Sequence, residues 1–375
     1  MKNVLINIQG TGQGVGFRPF VYRLAHELNI KGWIINSSAG VEIEAEGDES
    51  DVEKFLTRLK NDKPVNSTIN DFKYITSETK NFTKFEIKES NNSTIKTALI
   101  LPDLATCPDC LNEIFNPKER RYLYSFTNCT NCGPRFSIIE SIPYDRANTT
   151  MNEFEMCDEC RKEYENPLDR RFHAEPIACP KCGPQIKLYN ANKELIAGNE
   201  VIKKAAELIL NGKIIALKGL GGYQLIVDSR NNEAVKRLRE RKHREKKPFA
   251  MMFPSLEMIK ECCEVSEEEE RLLLSVQSPI VLLRIKENNF IAEDISKGNN
   301  YYGVMLPYTP LHHILMEELN IPVVATSGNL SDEPICITNE EAFEKLHDIA
   351  DYFLTHNRKI VRQVDDSVVR IIKNK

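Results

Sequence analysis

The sequence predicts a multidomain protein of mixed α+β and α/β class, and three observations support this prediction. The chain has 375 residues, more than one ordinary hydrophobic core accommodates. Its first part alternates strand and helix patterns, and from about residue 195 the pattern is that of an α/β sheet domain. Four Cys-x-x-Cys pairs lie between these parts. We therefore expect a first domain over residues 1–90, a linker over 91–106, a cysteine-rich domain over 107–190 and a third domain over 191–375.

The composition is that of an ordinary globular protein, with 41% hydrophobic and 28% charged residues. The net charge of −5 argues against a surface that coats nucleic acid broadly. No apolar run approaches the roughly 20 residues that span a bilayer, and the N-terminus lacks the apolar core and cleavage site of a signal peptide. We therefore expect a cytoplasmic protein without a membrane partner. The eleven cysteines are not expected to form disulfides there, because the cytosol keeps thiols reduced.

The first domain alternates strands and helices in the order βαββαβ. Its strand patterns place apolar residues at every second position, whereas its helix patterns repeat them at intervals of three and four. The expected elements are a strand over 4–8, a helix over 20–28, hairpin strands over 32–36 and 41–45, a helix over 51–59, and strands near 72–75 and 85–87. This order is typical of the split-βαβ, ferredoxin-like fold.

A glycine-rich loop joins the first strand of this domain to its first helix. Gly10, Gly12, Gly14 and Gly16 leave the backbone free to wrap an anion with consecutive N–H groups. The loop ends at a helix N-terminus, where the helix dipole also favours negative charge. Arg18 follows with a planar, permanently charged group that suits phosphate. The pattern predicts a phosphate site.

This loop and the second strand resemble the acylphosphatases, small enzymes that hydrolyse carboxyl-phosphate anhydrides. Their QGVxFR motif matches Gln13, Gly14, Val15, Gly16, Phe17 and Arg18, and their strand-borne asparagine matches Asn36. The resemblance implies that the loop and Arg18 hold the phosphate and that Asn36 orients the attacking water. A retained phosphate-binding fold without turnover is the alternative.

Eight cysteines form four pairs with the spacing of zinc-binding knuckles: Cys107/Cys110, Cys129/Cys132, Cys157/Cys160 and Cys179/Cys182. The gaps between successive pairs are 18, 24 and 18 residues. Two knuckles about 15–20 residues apart make one tetrahedral Zn²⁺ site, so the array predicts two structural Zn²⁺ ions. Because four thiolates leave no open coordination position, we do not expect these sites to be catalytic.

The two halves of this array also share an Asn-Pro step, a basic aromatic stretch and a Gly-Pro step after the second knuckle. These features indicate an internal duplication. We expect the knuckles to pair within each half, although the spacing leaves pairing across the halves open. His173, six residues before Cys179, is an alternative ligand. The other thiols, Cys262, Cys263 and Cys336, are expected to be small buried hydrophobes.

The third domain places polar clusters at the ends of its expected strands, where α/β folds bind ligands. A helix over 201–210 and a strand over 213–217 lead into a glycine-rich turn at Lys218. A helix over 231–242 ends in five Lys or Arg residues among the seven of 241–247, directly before a strand. Further polar clusters follow a strand over 321–326 and lie within 360–370. A solvated charged face is the alternative interpretation of the basic run.

Three of these segments, in this order, resemble the YrdC family: Lys242 with Arg244, the Ser-Gly-Asn turn at 327–329, and the late Asp-Ser-Val-Val strand. Such domains bind ATP and a carbamoyl-type group and form an acyl-adenylate. The resemblance implies a twisted α/β sheet whose nucleotide and carbamoyl site contains Lys218, Lys242, Arg244, Lys247, Ser327, Asn329, Arg362 and Ser367. It also implies Mg²⁺ at the phosphates, with Asp365 or Asp366 as a contributor. His312 and His313 either contact substrate or simply pack.

The three parts in this order resemble the HypF carbamoyltransferase family, which helps to mature nickel–iron hydrogenases, and the resemblance covers the whole chain. It implies that carbamoyl phosphate is cleaved in the first domain and that ATP activates the carbamate as carbamoyl-adenylate in the third. Family members continue into a large C-terminal domain that transfers the carbamoyl group to a thiol of the partner protein HypE, for the cyanide ligands of the hydrogenase. This chain stops at Lys375, so we expect an N-terminal portion that meets HypE through the missing domain.

Two other functions fit parts of the sequence. Four-cysteine zinc ribbons and a basic helix also occur in nucleic-acid-binding proteins, although the pI of 5.9 disfavours this alternative. An acylphosphatase whose other domains only act as a scaffold is the second alternative. It predicts phosphate release from carbamoyl phosphate without any need for ATP.

Overall fold

The computed structural model describes residues 1–11, 15–37, 40–64, 66–88, 101–196, 200–287, 289–330 and 333–372. The chain forms two compact units. The first contains residues 1–103 and 128–183, and the second contains residues 104–127 and 184–375. Among the described helices, none has the length and apolar character needed to cross a membrane.

A five-stranded sheet and two helices form the first part of the first unit. Its elements are β1 (Lys2–Thr11), α1 (Phe17–Glu27), β2 (Lys31–Ser37), β3 (Gly40–Gly47), α2 (Glu49–Asn61), β4 (Thr68–Ser77) and β5 (Phe85–Ile87). The strand order is β4-β1-β3-β2-β5, and all neighbours are antiparallel except β2 and β5. The predicted ferredoxin-like fold is confirmed, with most elements somewhat longer than the sequence pattern indicated.

The periodicity of the sequence explains this sheet. Val4, Ile6 and Ile8 alternate along β1, and all three are buried in one core with apolar side chains of α1 and α2. Alternate residues of a strand face the same side of a sheet. Burying one such side chain contributes about 1.5–3 kcal/mol. This packing holds α1 against the sheet. The helix begins at Phe17, directly after the glycine-rich loop, so its N-terminus is fixed beside that loop.

Each cysteine repeat contains one short helix that starts after its first cysteine. Cys107 is the N-cap residue of α3 (Pro108–Phe115), and Cys157 is the N-cap residue of α4 (Asp158–Glu165). Both helices have eight residues and end before an asparagine. Two 3₁₀ turns, Arg146–Asn148 and Thr150–Glu153, lie between the repeats. The matching helices support the predicted internal duplication.

A ten-stranded mixed sheet forms the centre of the second unit. The strands are β6 (Ile186–Asn190), β7 (Ile215–Lys218), β8 (Tyr223–Asp228), β9 (Ala250–Met252), β10 (Cys263–Glu264), β11 (Ile280–Ile285), β12 (Tyr301–Met305), β13 (Val323–Ser327), β14 (Tyr352–His356) and β15 (Val368–Val369). Nine of them follow the order β10-β11-β12-β9-β13-β8-β7-β14-β6, and β15 pairs with β11. The helices are α5 (Val201–Leu210), α6 (Asn232–Arg241), α7 (Leu256–Cys262), α8 (Glu267–Leu273), α9 (Pro310–Leu319) and α10 (Asn339–Lys345), with a 3₁₀ turn at Glu293–Ile295.

Helices cover both faces of this sheet. Ala216 of β7 packs in one core with α6, α7 and α10, whereas its neighbours Ile215 and Leu217 pack in the other core with α5 and α9. Every residue of β7 and β8 is buried. Strands that are buried on both faces have continuous apolar sequences rather than alternating ones. The predicted YrdC-like α/β sheet is confirmed, and its strand ends carry the polar clusters described below.

Candidate functional sites

Arg18 lies in the first turn of α1 and is buried, with only 7% of its surface exposed. Its Nη2 donates hydrogen bonds to Oε1 of Glu175 at 2.8 Å and to Oδ1 of Asp145 at 2.9 Å. The side-chain oxygen of Asn36, in the amide orientation that satisfies both groups, accepts from Nε at 3.0 Å and from Nη2 at 3.3 Å. The structure therefore brings together Arg18 and Asn36, the two residues predicted to be catalytic.

The described part of the loop before α1 has the backbone of a tight turn. Gly16 is the N-cap residue, with a φ of 73° that other residues rarely adopt. A Cβ at this position would approach Oγ1 of Thr130 to 3.1 Å. Val15 and Phe17 are buried. Gln13 and Gly14, which are also predicted to bind phosphate, lie outside the described residues.

Carboxylates in the first unit offset the charge of Arg18. Burial alone would lower the pKa of Arg18, but Glu175 and Asp145 outweigh burial and raise it. Burial raises the pKa of Glu175 to about 7, against the opposing effect of Arg18. Burial, and then the charge of Arg18, lowers the pKa of His173 to about 4. A guanidinium held by two carboxylates presents less positive potential to an incoming anion than an isolated one.

The eight paired cysteines form two four-thiol groups: Cys107, Cys110, Cys129 and Cys132, and Cys157, Cys160, Cys179 and Cys182. Within each group the sulfur atoms lie within 4.8 Å of one another. The sulfur atoms of Cys129 and Cys132 are 3.9 Å apart, and those of Cys160 and Cys182 are 3.6 Å apart. Zn–S bonds of about 2.3 Å give a tetrahedron with edges of about 3.8 Å, so these donors fit Zn²⁺. Pairing of the knuckles within each half is confirmed.

His173 and the other cysteines lie apart from these two groups in the part of the chain that the structure describes. The ring of His173 packs instead against Tyr164, with 5.0 Å between centroids. Cys262, Cys263 and Cys336 are buried. Burial raises the pKa of these thiols to about 11, 12 and 11, respectively. They are therefore the inert, buried residues that the sequence predicted.

A cavity of about 440 Å³ opens in the second unit. Residues of β8, β9, β11, β12 and β13 and of the segment 364–370 line it. Arg244, Lys247 and Ser327, three of the predicted nucleotide-binding residues, belong to its wall, as do Asp365 and Asp366. Small-molecule sites commonly have volumes of about 300–1,000 Å³. The cavity is thus large enough for a ligand and has cationic and carboxylate groups in its wall.

Lys242 supports this wall by holding the Ser-Gly-Asn turn. Its Nζ donates to the carbonyl oxygen of Ser327 at 2.7 Å and to O and Oδ1 of Asn329 at 2.6 and 2.7 Å. Burial, and then the charge of Arg244, lowers the pKa of Lys242 to about 7. Lys242 and Asn329 are not among the described lining residues of the cavity. The structure nevertheless joins two predicted motifs that lie 85 residues apart.

Arg244 reaches the cavity wall from the same basic run. Its Nη1 donates to Oγ1 of Thr326 at 2.9 Å, and its guanidinium lies over the ring of Phe249 at 4.9 Å from the centroid. Burial, and then the charge of Arg239, lowers the pKa of Arg244 to about 10. The side chain therefore remains a cation at neutral pH.

Lys218, Arg362 and Ser367 lie outside the described lining of the cavity. Lys218 is buried, and its Nζ donates to Oδ1 of Asn339 at 3.0 Å and to the carbonyl oxygen of His356 at 3.2 Å. Burial lowers the pKa of Lys218 to about 8. Ser367 is exposed and accepts a hydrogen bond from the start of β11 through its carbonyl group, whereas Arg362 is half-buried.

Sequence reasoning missed a polar network in the cavity. Nε2 of Gln224 donates to the hydroxyl of Tyr308 at 3.0 Å and to Oδ2 of Asp366 at 3.3 Å. The surrounding atoms desolvate the Asp366 carboxylate and raise its pKa. Gln224 follows the predicted glycine-rich turn, and Tyr308 lies in a Pro-Tyr-Thr-Pro segment, so both had a local signal.

The two adjacent histidines of α9 are packing residues in this structure. His312 is buried, and its ring contacts the ring of Tyr308 with 4.6 Å between centroids. Burial lowers the pKa of His312 to about 3 and that of His313 to about 4. Both rings are therefore neutral at physiological pH, which favours the packing alternative.

Comparison with known proteins assigns a family to each part of the chain. The acylphosphatase model matches residues 4–87, the HypF finger model matches residues 106–139 and 156–189, and the Sua5/YciO/YrdC model, described as telomere recombination, matches residues 207–375. The carbamoyltransferase HypF of Synechocystis sp. is 51% identical over 376 residues, which cover 100% of this chain and 49% of that protein. The acylphosphatase of Pseudothermotoga lettingae is 40% identical over 88 residues, which are 23% of this chain and 98% of that protein.

A solved structure is similar over nearly the whole chain. The crystal structure of full-length HypF in the phosphate- and nucleotide-bound form has a TM-score of 0.95 and 50% sequence identity. The match covers 98% of this chain and 48% of that chain.

The fold and the sites define a multidomain protein that combines an acylphosphatase-like sheet, two four-cysteine groups and a YrdC-like sheet with a ligand-sized cavity. The chain is homologous over its full length to the HypF carbamoyltransferases, and its residues 4–87 belong to the acylphosphatase family. It spans about half the length of the HypF relatives that it matches.

Proposed function

We propose that this chain cleaves carbamoyl phosphate and activates the released carbamate with ATP, as part of the carbamoyltransferase reaction of HypF. One observation carries this proposal: a single chain pairs Arg18 with Asn36 in an acylphosphatase fold and lines a cavity in a YrdC-like sheet with Arg244 and Lys247. The similarity to HypF over the full chain supports joining the two sites in one reaction sequence.

The first step is hydrolysis at phosphorus. Water attacks the phosphorus of carbamoyl phosphate, the bond to the carbamate oxygen breaks, and phosphate and carbamate leave. Arg18 holds the phosphate oxygens, and the N–H groups of the loop before α1 add further donors. Asn36, already in hydrogen-bond contact with Arg18, orients the water through its amide. Fixed donors aimed at developing charge are commonly the largest contribution to such a transfer.

The second step forms carbamoyl-adenylate. A carbamate oxygen attacks the α-phosphorus of ATP, the bond to the bridging oxygen breaks, and pyrophosphate leaves. Arg244 and Lys247 line the cavity and offset the charge of the triphosphate. Lys242 fixes the turn that presents Ser327 to the ligand. Lys218, Arg362 and Ser367 act from outside the described lining, on the nucleotide or carbamoyl group.

Metal ions assist in two different ways. Asp365 and Asp366 line the cavity and would hold Mg²⁺, since carboxylate oxygens are its usual protein ligands. Mg²⁺ would lower the negative charge of the triphosphate. Each four-cysteine group would hold one structural Zn²⁺, which crosslinks its two knuckles and leaves no position open for substrate.

Transfer of the carbamoyl group to HypE completes the reaction in our proposal. The chain spans about half of its HypF relatives, and the two steps above prepare the activated group rather than deliver it. The proposal therefore assigns carbamoyl phosphate and ATP to this chain as substrates, and HypE to the complete protein as partner.

The test is exchange of labelled pyrophosphate into ATP, with and without carbamoyl phosphate. We expect exchange that depends on carbamoyl phosphate, is lost in Lys242→Ala/Arg244→Ala and is also lost in Arg18→Ala, which blocks the supply of carbamate. Lys246→Ala is the matched control, because Lys246 is exposed in the same basic run and should leave exchange unchanged.

Three results separate the alternatives. Release of phosphate from carbamoyl phosphate without any exchange of pyrophosphate into ATP would support the alternative, an acylphosphatase whose other domains act only as a scaffold. Exchange that survives Lys242→Ala/Arg244→Ala would contradict the assigned nucleotide site. Exchange that survives Arg18→Ala would show that the first site does not feed the second.

A further inference from the structure

Glu175, in the second cysteine repeat, has a buried carboxylate that accepts three hydrogen bonds, and only 2% of the residue is exposed. Oε1 accepts from Nη2 of Arg18 at 2.8 Å. Oε2 accepts from the hydroxyl of Tyr164 at 2.8 Å and from the backbone N–H of Arg146 at 2.9 Å. Three donors hold the carboxylate in a single orientation, and one of them belongs to the proposed phosphate-binding arginine.

The surroundings fix Glu175 in place. The guanidinium of Arg146 donates to the carbonyl oxygens of Glu175 at 2.6 Å, of Phe154 at 2.6 Å and of Ile177 at 3.0 Å. Tyr164 lies on α4, which starts at Cys157 of the second cysteine group. The backbone and the side chain of Glu175 are thus both anchored by the same repeat. Movement of its carboxylate away from Arg18 would break several of these bonds.

Arg18 is held between this carboxylate and the acylphosphatase sheet. Nη2 contacts Glu175, and Nε and Nη2 contact the side-chain oxygen of Asn36, which lies on β2. Fixing an arginine side chain removes its rotamer freedom. Here the two partners that fix it, Asn36 and Glu175, are both buried. A buried ion pair is weak evidence for stabilisation, because desolvation offsets the attraction. The pairing of Glu175 with Arg18 is therefore better explained by the orientation that it gives to the Arg18 side chain than by a gain in stability.

We propose that Glu175 is a positioning residue for acyl-phosphate hydrolysis: it acts through Arg18, which it holds in register with Asn36, and does not touch the substrate. Glu175 of the second cysteine repeat, together with Asp145, thereby completes a site whose other residues belong to the acylphosphatase fold. This inference rests on the proposed function. It predicts loss of transition-state stabilisation more than loss of ground-state binding, because Arg18 keeps its charge when Glu175 is replaced.

The test compares Glu175→Gln with the unmodified chain in hydrolysis of carbamoyl phosphate and of acetyl phosphate. We expect kcat to fall on the order of 10- to 100-fold, since small misplacements of a catalytic group have effects of this size, while KM changes by less than about threefold. Tyr164→Phe keeps the ring and removes one donor to Glu175, so it should lower kcat in the same direction by a smaller factor. Glu165→Gln is the matched control, because Glu165 is exposed at the end of α4, and it should behave as the unmodified chain.

Thermal denaturation and zinc content of each variant separate positioning from folding. A kcat of Glu175→Gln within twofold of the unmodified chain would overturn the inference, as would a rise in KM with kcat unchanged. Hydrolysis that Arg18→Ala abolishes and Glu175→Gln leaves intact would overturn this inference alone. Failure of the unmodified chain to hydrolyse either compound would overturn the proposed function, and the role of Glu175 with it.

Discussion

Oδ1 of Asp145 lies 2.9 Å from Nη2 of Arg18, the group that we propose holds the substrate phosphate. The Asp145 side chain keeps 25% of its surface exposed, whereas that of Glu175 keeps 1%. The cavity beside Arg18 has a volume of about 20 Å³, which is room for about one water molecule. A phosphate oxygen that binds Nη2 therefore competes with the Asp145 carboxylate, which is the more accessible of the two.

Asp145→Asn should strengthen the binding of inorganic phosphate. The substitution removes a negative charge that repels the anion and competes for Nη2 of Arg18. Because the pair is partly exposed, we expect an effect of about 0.5–1 kcal/mol, which is about a two- to fivefold lower inhibition constant. The measurement is inhibition of carbamoyl phosphate hydrolysis by phosphate.

Asp71→Asn is the control for this change, because Asp71 pairs with the exposed Lys73 on β4. It should leave the inhibition constant unaltered. A higher inhibition constant in Asp145→Asn would mean that Asp145 supports the phosphate site rather than competes with the phosphate.

Replacing one cysteine should remove one zinc ion and leave the other. The two groups share no residue, and a site with three thiolates lacks the fourth strong ligand that a closed zinc site needs. We expect elemental analysis to find two zinc ions per unmodified chain, and one in Cys157→Ser and in Cys107→Ser. Cys262→Ala, at a buried thiol outside both groups, should keep two. Two retained ions in Cys157→Ser would contradict the assignment of that group.

Short-range patterns in the sequence predicted the first sheet with its helices, both four-cysteine groups and part of the second sheet. Alternation of Val4, Ile6 and Ile8 marked β1, and the knuckle spacing marked both four-cysteine groups, because each pattern follows from the geometry of one element. β14 (Tyr352–His356), which lies between β7 and the edge strand β6, is one of the strands of the second sheet that were not predicted. It is buried on both faces, and a short continuous apolar run does not distinguish a strand from a buried helix segment.

The contacts that complete the candidate sites were beyond sequence reasoning. Glu175 lies 157 positions from Arg18, and nothing in its local sequence sets it apart from other acidic residues. Lys242 and Ser327 were both predicted to bind the nucleotide, and the structure adds a contact that the sequence did not predict: Nζ of Lys242 donates to the carbonyl oxygen of Ser327. Residue types at a site follow from motifs, whereas such pairings follow from the complete fold.

Gly221→Ala should weaken ATP binding. A Cβ on Gly221 would lie 2.5 Å from Cβ and 2.7 Å from the carbonyl oxygen of Val364. The N–H of Val364 donates to the carbonyl oxygen of Gly221 at 3.0 Å, so the two segments have no space for a side chain. The displaced segment carries Asp365 and Asp366 into the cavity wall. Overpacking of this kind has effects of about 1–3 kcal/mol, and we expect the dissociation constant of ATP in calorimetric titration to rise about tenfold.

Gly298→Ala provides the control for Gly221→Ala. A Cβ on Gly298 meets no atom within 4 Å, but its φ of 76° is one that alanine rarely adopts. This variant therefore adds about 1–2 kcal/mol of backbone strain without a clash, and it separates overpacking at Val364 from general loss of stability. It should bind ATP as the unmodified chain does. Equal affinities for Gly221→Ala and the unmodified chain would contradict the placement of the nucleotide in this cavity.

Affinity for ATP should fall as pH rises through about 7, because Lys242 then loses its proton. Burial and the neighbouring cations Arg244 and Lys247 lower its pKa to about 7, and Cys336 opposes them. The charged form favours a bound triphosphate and can supply all three hydrogen bonds to the Ser-Gly-Asn turn. Affinity is therefore highest below the pKa and falls above it, by at most about tenfold per pH unit for one linked proton.

ATP itself also ionises in this pH range, and this affects the binding by every variant equally. Comparison with Lys242→Met therefore separates the effect of the Lys242 proton from the effect of ATP ionisation. The titrations are made at about pH 6.0, 7.0 and 8.5, which bracket the pKa of Lys242. Lys242→Met should bind ATP weakly at each pH, and its affinity should change less between pH values than that of the unmodified chain. Lys246→Met, at an exposed position of the same basic run, should retain the dependence of the unmodified chain. If Lys242→Met keeps the full decrease in affinity, another group carries the proton, and Lys242 does not govern the binding of the nucleotide.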